Sequence, residues 1–126
     1  MNLVDSCGWM EYFAEGPNAS FYSKPIEDIE HLLVPTICVL EVFKHVLVRR
    51  GEKDALAAVM AMSQGTVVNL DIETAMTAAK IGAELRLPLA DRVILATARA
   101  HAATVWTQDT HFQHMPGVKF IKKKSG

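Results

Sequence analysis

Four acids far apart in the chain, Asp5, Glu41, Asp91 and Asp109, are the residues whose chemistry would change most if folding brought them together. Carboxylates crowded into one site repel, and a divalent cation supplies the compensating charge. Oxygen ligands favour Mg²⁺ or Mn²⁺. A cation so held orients a water, helps to deprotonate it and stabilises charge on a phosphodiester during in-line attack. Metal-dependent phosphodiester cleavage is therefore the chemistry to expect if they converge, with Asp5, Asp91 and Asp109 as metal ligands.

The sequence supports these acids unequally. Asp5 and Asp109 fall at or just past the ends of apolar runs that read as strands, and ligands of an open parallel sheet bind outside the carboxyl ends of its strands. Either acid alone reads better as a turn or cap residue; their shared placement favours a site. At about 100° per residue Asp91 lies between Ile94 and Leu95 and above Ala98, on the apolar side of its helix. The helix dipole favours an acid in that first turn but does not explain its inward phase. Glu41 lies opposite Val39, Val42, Phe43 and Val46, beside Lys44 and His45, so helical phase leaves it either solvated or part of the site.

The elements needed to position these acids alternate. Residues 1–5 read as a strand, followed by a helix from an N-cap at Ser6 to Gly16. A helix within 18–30 is interrupted by Pro25, and Leu32 to Val34 form the second strand. Thr36 is placed to cap a helix running to Arg50 with Gly51 as its stop. A further helix over 52–64 carries Leu56, Val59 and Met60 on one side. Thr66 to Leu70 make a third strand, and Asp71 caps a helix with Ile72, Ala75, Met76, Ala79 and Ala83 at helical spacing, small enough for close packing. Pro88 and Leu89 open a helix to about His101. Thr104 to Thr107 and Val118 to Ile121 complete the strands. Strands separated by helices imply a three-layer α/β/α sandwich with a central, mainly parallel sheet.

At 126 residues the chain fits one domain over 1–126, with a mobile basic tail from about residue 122. Thirteen basic and 14 acidic residues nearly balance, which argues against a protein that coats nucleic acid by bulk charge. The opening residues lack the pattern of a signal peptide and no apolar run approaches a membrane span, so a cytoplasmic protein without membrane contact is expected. Cys7 and Cys38 have no zinc-site spacing and read as reduced, buried small hydrophobes.

Four stretches together, NLVDSCGW, TICVLEVF, LPLADRVILATARAHAA and VWTQDTHF, make the chain similar to the PIN-domain family, and more narrowly to the VapC-type toxin ribonucleases of toxin–antitoxin pairs. The resemblance spans nearly the whole chain. It implies an Mg²⁺- or Mn²⁺-dependent endoribonuclease whose acids are Asp5, Glu41, Asp91 and Asp109. Thr107 would orient a carboxylate or a metal-bound water, and Ser6 would be a second supporting hydroxyl. It also implies products with a 5′-phosphate and a 3′-hydroxyl, a homodimer, and a small antitoxin that blocks the site. Arg92 is less typical after Asp91 and either lies near the RNA backbone or decorates the solvent face. No further acid follows Asp109, which argues against a second metal. An RNA-processing nuclease of the same family without an antitoxin, or a non-catalytic α/β module holding a regulatory cation, are the other readings.

Other residues read as structural. His111 and His114, three apart with no third clustered ligand, are left out of the site. Trp9 and Trp106 read as packing, and Met60, Met62 and Met76 as core fillers. Most basic residues read as solubilising surface charge, some of them near enough to rim the acidic pocket.

Overall fold

Helices covering both faces of a parallel sheet leave its central strands little exposed side, which is why these read as short apolar runs. The structure, a computed structural model, describes residues 1–125. Its strands are β1 (Asn2–Val4), β2 (Leu32–Pro35), β3 (Thr66–Val68), β4 (Thr104–Thr107) and β5 (Val118–Phe120). They form one sheet in the order β3-β2-β1-β4-β5, with every neighbouring pair parallel. All of β2 is buried, whereas β3 at the sheet edge is mostly exposed.

The helices are α1 (Ser6–Phe13), α2 (Ala19–Glu27), α3 (Thr36–Arg50), α4 (Glu52–Met62), α5 (Ile72–Glu84) and α6 (Leu89–Ala100). Right-handed crossovers put α1 to α4, which carry the chain outward from β1 to β3, on one face, and α5 and α6, which return it to β4, on the other. The α/β/α expectation holds, and the sheet is wholly rather than mainly parallel. Leu3, Val4, Leu33, Val34 and Val105 from the strands pack with Trp9, Tyr22, Val42, Met62, Ile94 and Phe112 from the covering elements. The strand order reverses between β1 and β4, so the crevice at their carboxyl ends is the topological switch point. No described helix is long and apolar enough to cross a membrane.

Several boundaries differ from expectation by one to three residues, and two of the shifts matter. Asp5, not Ser6, is the N-cap of α1: its backbone stays extended from β1, and its side chain accepts a hydrogen bond from Ser6 N at 2.7 Å. The Ser6 hydroxyl is thereby freed for another partner. Thr36 is already helical, and Pro35 holds the cap position of α3 without a side-chain bond. Pro25 is accommodated near the end of α2 instead of breaking it. Gly51, at φ 93°, turns the chain from α3 into α4 in a conformation that a side chain would strain.

The inward faces of α4 and α5 are corrections. The expected α4 stripe leaves Leu56 and Met60 exposed, while Ala55, Ala58 and Met62 are buried. In α5 the residues that pack inward are Thr74, Ala78 and Ile81, and Ile72 and Met76 stand 80% and 57% exposed. Each helix carries apolar residues on more than one face, and the smaller face turns inward because α4 packs on α3 and α5 on α6. Met62 is thus the core methionine of the three. Trp9 and Trp106 are buried, as read from the sequence. The chain is held up to the start of the basic segment: Ile121 N bonds Thr107 O at 3.0 Å, and Asn18 Nδ2 donates to Lys122 O at 3.1 Å. Gly126, the last residue of the expected tail, lies outside the described residues.

Gly8 lets α1 approach β1 and α2, since a Cβ there would lie 2.6 Å from Tyr22 Cδ1 and 2.7 Å from Val4 Cγ1. Both neighbours are fully buried and have little room to yield. Gly8→Ala is expected to destabilise the fold by about 1–3 kcal/mol, as overpacking typically does. Chemical denaturation monitored by circular dichroism checks this, and an unchanged midpoint would contradict it.

Candidate metal centre

The chain leaves β1 at Asp5 and β4 at Asp109, and Thr107 at the end of β4 ties the two together. Thr107 Oγ1 donates to Asp5 Oδ2 at 2.9 Å and accepts from Asp109 N at 2.9 Å. Because Thr107 is fully buried, one hydroxyl fixes both the first carboxylate and the backbone that presents the last. Asp5 Oδ2 also lies 3.4 Å from Cys7 Sγ. Asp109 in turn caps the short 3₁₀ turn Thr110–Phe112 by accepting from His111 N at 2.9 Å.

Asp91 sits in the first turn of α6 and points inward, as its helical phase required. Its Oδ2 lies 2.9 Å from His111 Nδ1, and the same nitrogen is 3.1 Å from Asp109 Oδ1. His111 therefore joins the cluster that sequence spacing had excluded it from, while His114 is an exposed residue of the following turn. The pair HxxH was the wrong signal. The usable one was proximity, because a residue two after Asp109 on a tight turn must share its crevice.

Glu41 enters through Ser6, whose Oγ donates to Glu41 Oε1 at 2.6 Å. The contact settles the phase ambiguity: the side of α3 bearing Glu41 faces the start of α1, and the residue is half-buried. Cys7, expected to be an inert buried hydrophobe, is half-buried at the edge of the site instead. Burial first, and then the charge of Asp5, push its thiol up to about 12, so it stays protonated and is a poor ligand. Cys38 is fully buried, as expected.

Arg92 makes contacts within the fold. Its Nε donates to Leu87 O at 2.7 Å, and its guanidinium lies over Gly82, where a Cβ would come within 2.7 Å of Nη1. It thus braces the 85–88 turn against α5, directly before the helix that carries Asp91.

The electrostatics show a site short of positive charge. Burial raises the Asp5 carboxyl above its ordinary value against the opposing hydrogen bonds from Thr107 and Ser6. Burial, followed by the charges of Asp109 and Asp5, pushes Asp91 up to about 6. His111 is raised by the charge of Asp109 and by its bond to Asp91. Asp91, Asp109 and His111 each offer a ligand atom, all within 4.8 Å of one another, which fits a single shared cation. The crowding of Asp5, Asp91 and Asp109 supplies the negative charge that such an ion would neutralise.

A wholly parallel α/β/α domain with acids gathered at the switch point defines a class of folds with a cation-ready crevice. Within that class, the chain belongs to the PIN domain family, whose model matches residues 3–118. Its fold is similar to a toxin–antitoxin complex chain from Klebsiella pneumoniae, with a TM-score of 0.81 and 24% identity over 94% of this chain and 96% of that one. It is also similar to VapC20 of Mycobacterium tuberculosis, a sarcin-ricin loop cleaving toxin, with a TM-score of 0.75 and 14% identity over 98% of each chain. A chain of DNA-bound VapBC2 from Rickettsia felis gives a TM-score of 0.74 and 12% identity over 96% of this chain and 97% of that one. No curated protein matches by sequence.

The three raised groups, Asp5, Asp91 and His111, act on stability in the same direction. A carboxyl raised from 3.8 to about 6 binds its proton more tightly in the folded chain, so its contribution is lost as pH rises across that interval. The raised histidine acts in the same direction, its contribution being lost as pH climbs through its folded value, but by little because the ring is open to water. In EDTA the protein is expected to melt at a lower temperature at pH 8 than at pH 5. A divalent cation at pH 8 is expected to reverse the loss. Calorimetry at the two pH values checks both, and a melting temperature that rises with pH in EDTA would refute the charge assignment.

Proposed function

We propose that this chain is an endoribonuclease that hydrolyses RNA phosphodiester bonds with Mg²⁺ or Mn²⁺, acting as the toxin of a type II toxin–antitoxin pair. The observation that carries the reading is the gathering of Asp5, Asp91 and Asp109 at the carboxyl ends of β1 and β4, with Asp91 pushed up to about 6 by burial and by the other two. Asp5, Asp91 and Asp109 would hold the cation. When bound, the ion supplies Lewis acidity for a water and for the phosphate it attacks.

The chain's own residues supply the rest. Thr107 fixes the rotamer of Asp5, and Ser6 holds Glu41 toward the crevice, where its free oxygen orients a water or takes its proton. Attack by that water on phosphorus, with the 3′-oxygen leaving, gives a 5′-phosphate and a 3′-hydroxyl. Structured RNA is the substrate class supported by the likeness to a sarcin-ricin loop cleaving toxin. The place of action is the cytoplasm.

Two surfaces support the protein partners. A groove of about 340 Å³ between α1, α3 and α4 is walled by Met10, Phe13, Val46 and Ala58 and rimmed by Arg49, Arg50 and Asp54. Apolar walls with charged rims accept an amphipathic helix, and a small antitoxin is the occupant proposed. The uncovered α5 stripe of Ile72 and Met76 supports a homodimer.

Purified protein incubated with structured RNAs and Mn²⁺ or Mg²⁺ is expected to cut a subset at defined positions. Asp5→Asn and Asp91→Asn are expected to lower cleavage by about a hundredfold or more, the scale of losing one charge-stabilising group, while circular dichroism remains unchanged. Full cleavage in EDTA, or in both variants, would overturn the reading. Ala57→Arg in the exposed part of the groove is expected to weaken capture of a co-expressed antitoxin without changing cleavage. Toxicity that no neighbouring small reading frame relieves would instead place the chain among RNA-processing nucleases.

A further inference from the structure

Resting on the cation-dependent reading above, we propose that His111 is itself a ligand of the metal through Nδ1, and that this nitrogen donor makes the centre prefer Mn²⁺ to Mg²⁺. Nδ1 stands 2.9 Å from Asp91 Oδ2 and 3.1 Å from Asp109 Oδ1, the spacing of neighbouring donor atoms around one shared ion. The three donor atoms lie within 4.8 Å of one another, a span that one ion can bridge. Ligation through Nδ1 would require the neutral ring with its hydrogen on Nε2, leaving the Nδ1 lone pair free for the ion.

The ring is presented rather than adrift. Its backbone is held by the bond from His111 N to Asp109 Oδ1 at 2.9 Å, and the next residue, Phe112, is fully buried in the core. The imidazole is half exposed at the mouth of the crevice. A histidine–carboxylate pair that open to water contributes little to stability by itself, so holding the fold together does not account for its position.

The preference follows from donor chemistry. Mg²⁺ demands near-octahedral oxygen ligation and parts with its waters reluctantly. First-row transition ions accept imidazole more readily, so replacing one oxygen by nitrogen tilts the site toward them.

The test uses the full chain with Mn²⁺ and Mg²⁺ as probes. Pulsed electron paramagnetic resonance of the Mn²⁺-loaded protein is expected to show nitrogen coupling, and His111→Ala is expected to abolish it. By calorimetric titration His111→Ala is expected to lose about tenfold or more in Mn²⁺ affinity and distinctly less in Mg²⁺ affinity. His111→Gln, which keeps a polar side chain but no imidazole, should behave as the alanine variant does. Mn²⁺ bound without nitrogen coupling, or equal losses for both ions, would overturn this inference and leave cation-dependent cleavage standing. Failure of the wild-type chain to bind either ion would overturn both.

Discussion

The constraint on which the rest of this structure turns is the repulsion among Asp5, Asp91 and Asp109. Folding burial removes water that would screen them, and the same fold holds them at the seam between β1 and β4. In the absence of a cation the conflict is resolved by protons: Asp91 keeps one to about pH 6, and His111 is drawn in as a local positive charge. A site that holds protons in this way is a site prepared to exchange them for a metal.

Keeping mutually repelling groups together requires anchors stronger than the repulsion, and the fold supplies them as a small set of hydroxyl and backbone bonds. Thr107 spans Asp5 and the backbone of Asp109, Ser6 reaches across to Glu41, and Asp109 caps the turn that delivers His111. Arg92 contributes from outside the crevice by bracing the turn that starts α6. Thr107, Ser6 and Arg92 hold the acids in place without being acids of the site themselves.

The acids were legible to different degrees for identifiable reasons. Asp5 and Asp109 follow apolar runs, and Asp91 breaks an apolar face, so strand ends and helical phase revealed them. Glu41 has no such signature: its helix is apolar on several sides, and its role rests on a hydrogen bond from Ser6, 35 positions away. His111 was misread because motif spacing compares ligands along the sequence, whereas this ring finds Asp91 twenty positions back through a 3₁₀ turn. The contacts of Arg92 with Gly82 and the Leu87 carbonyl were not legible because they are defined by packing and not by pattern.

By itself the sequence determined the order of strands and helices, the parallel α/β architecture and the strand-end acids, because these follow from local periodicity and from capping chemistry within a few residues. Tertiary structure alone decided which face of α4 and α5 turns inward, that Asp5 caps α1 and so frees Ser6 for Glu41, and that His111 lies between two carboxylates. Each of those outcomes depends on contacts between segments remote in the chain, where competing faces of similar polarity are separated by how well they pack.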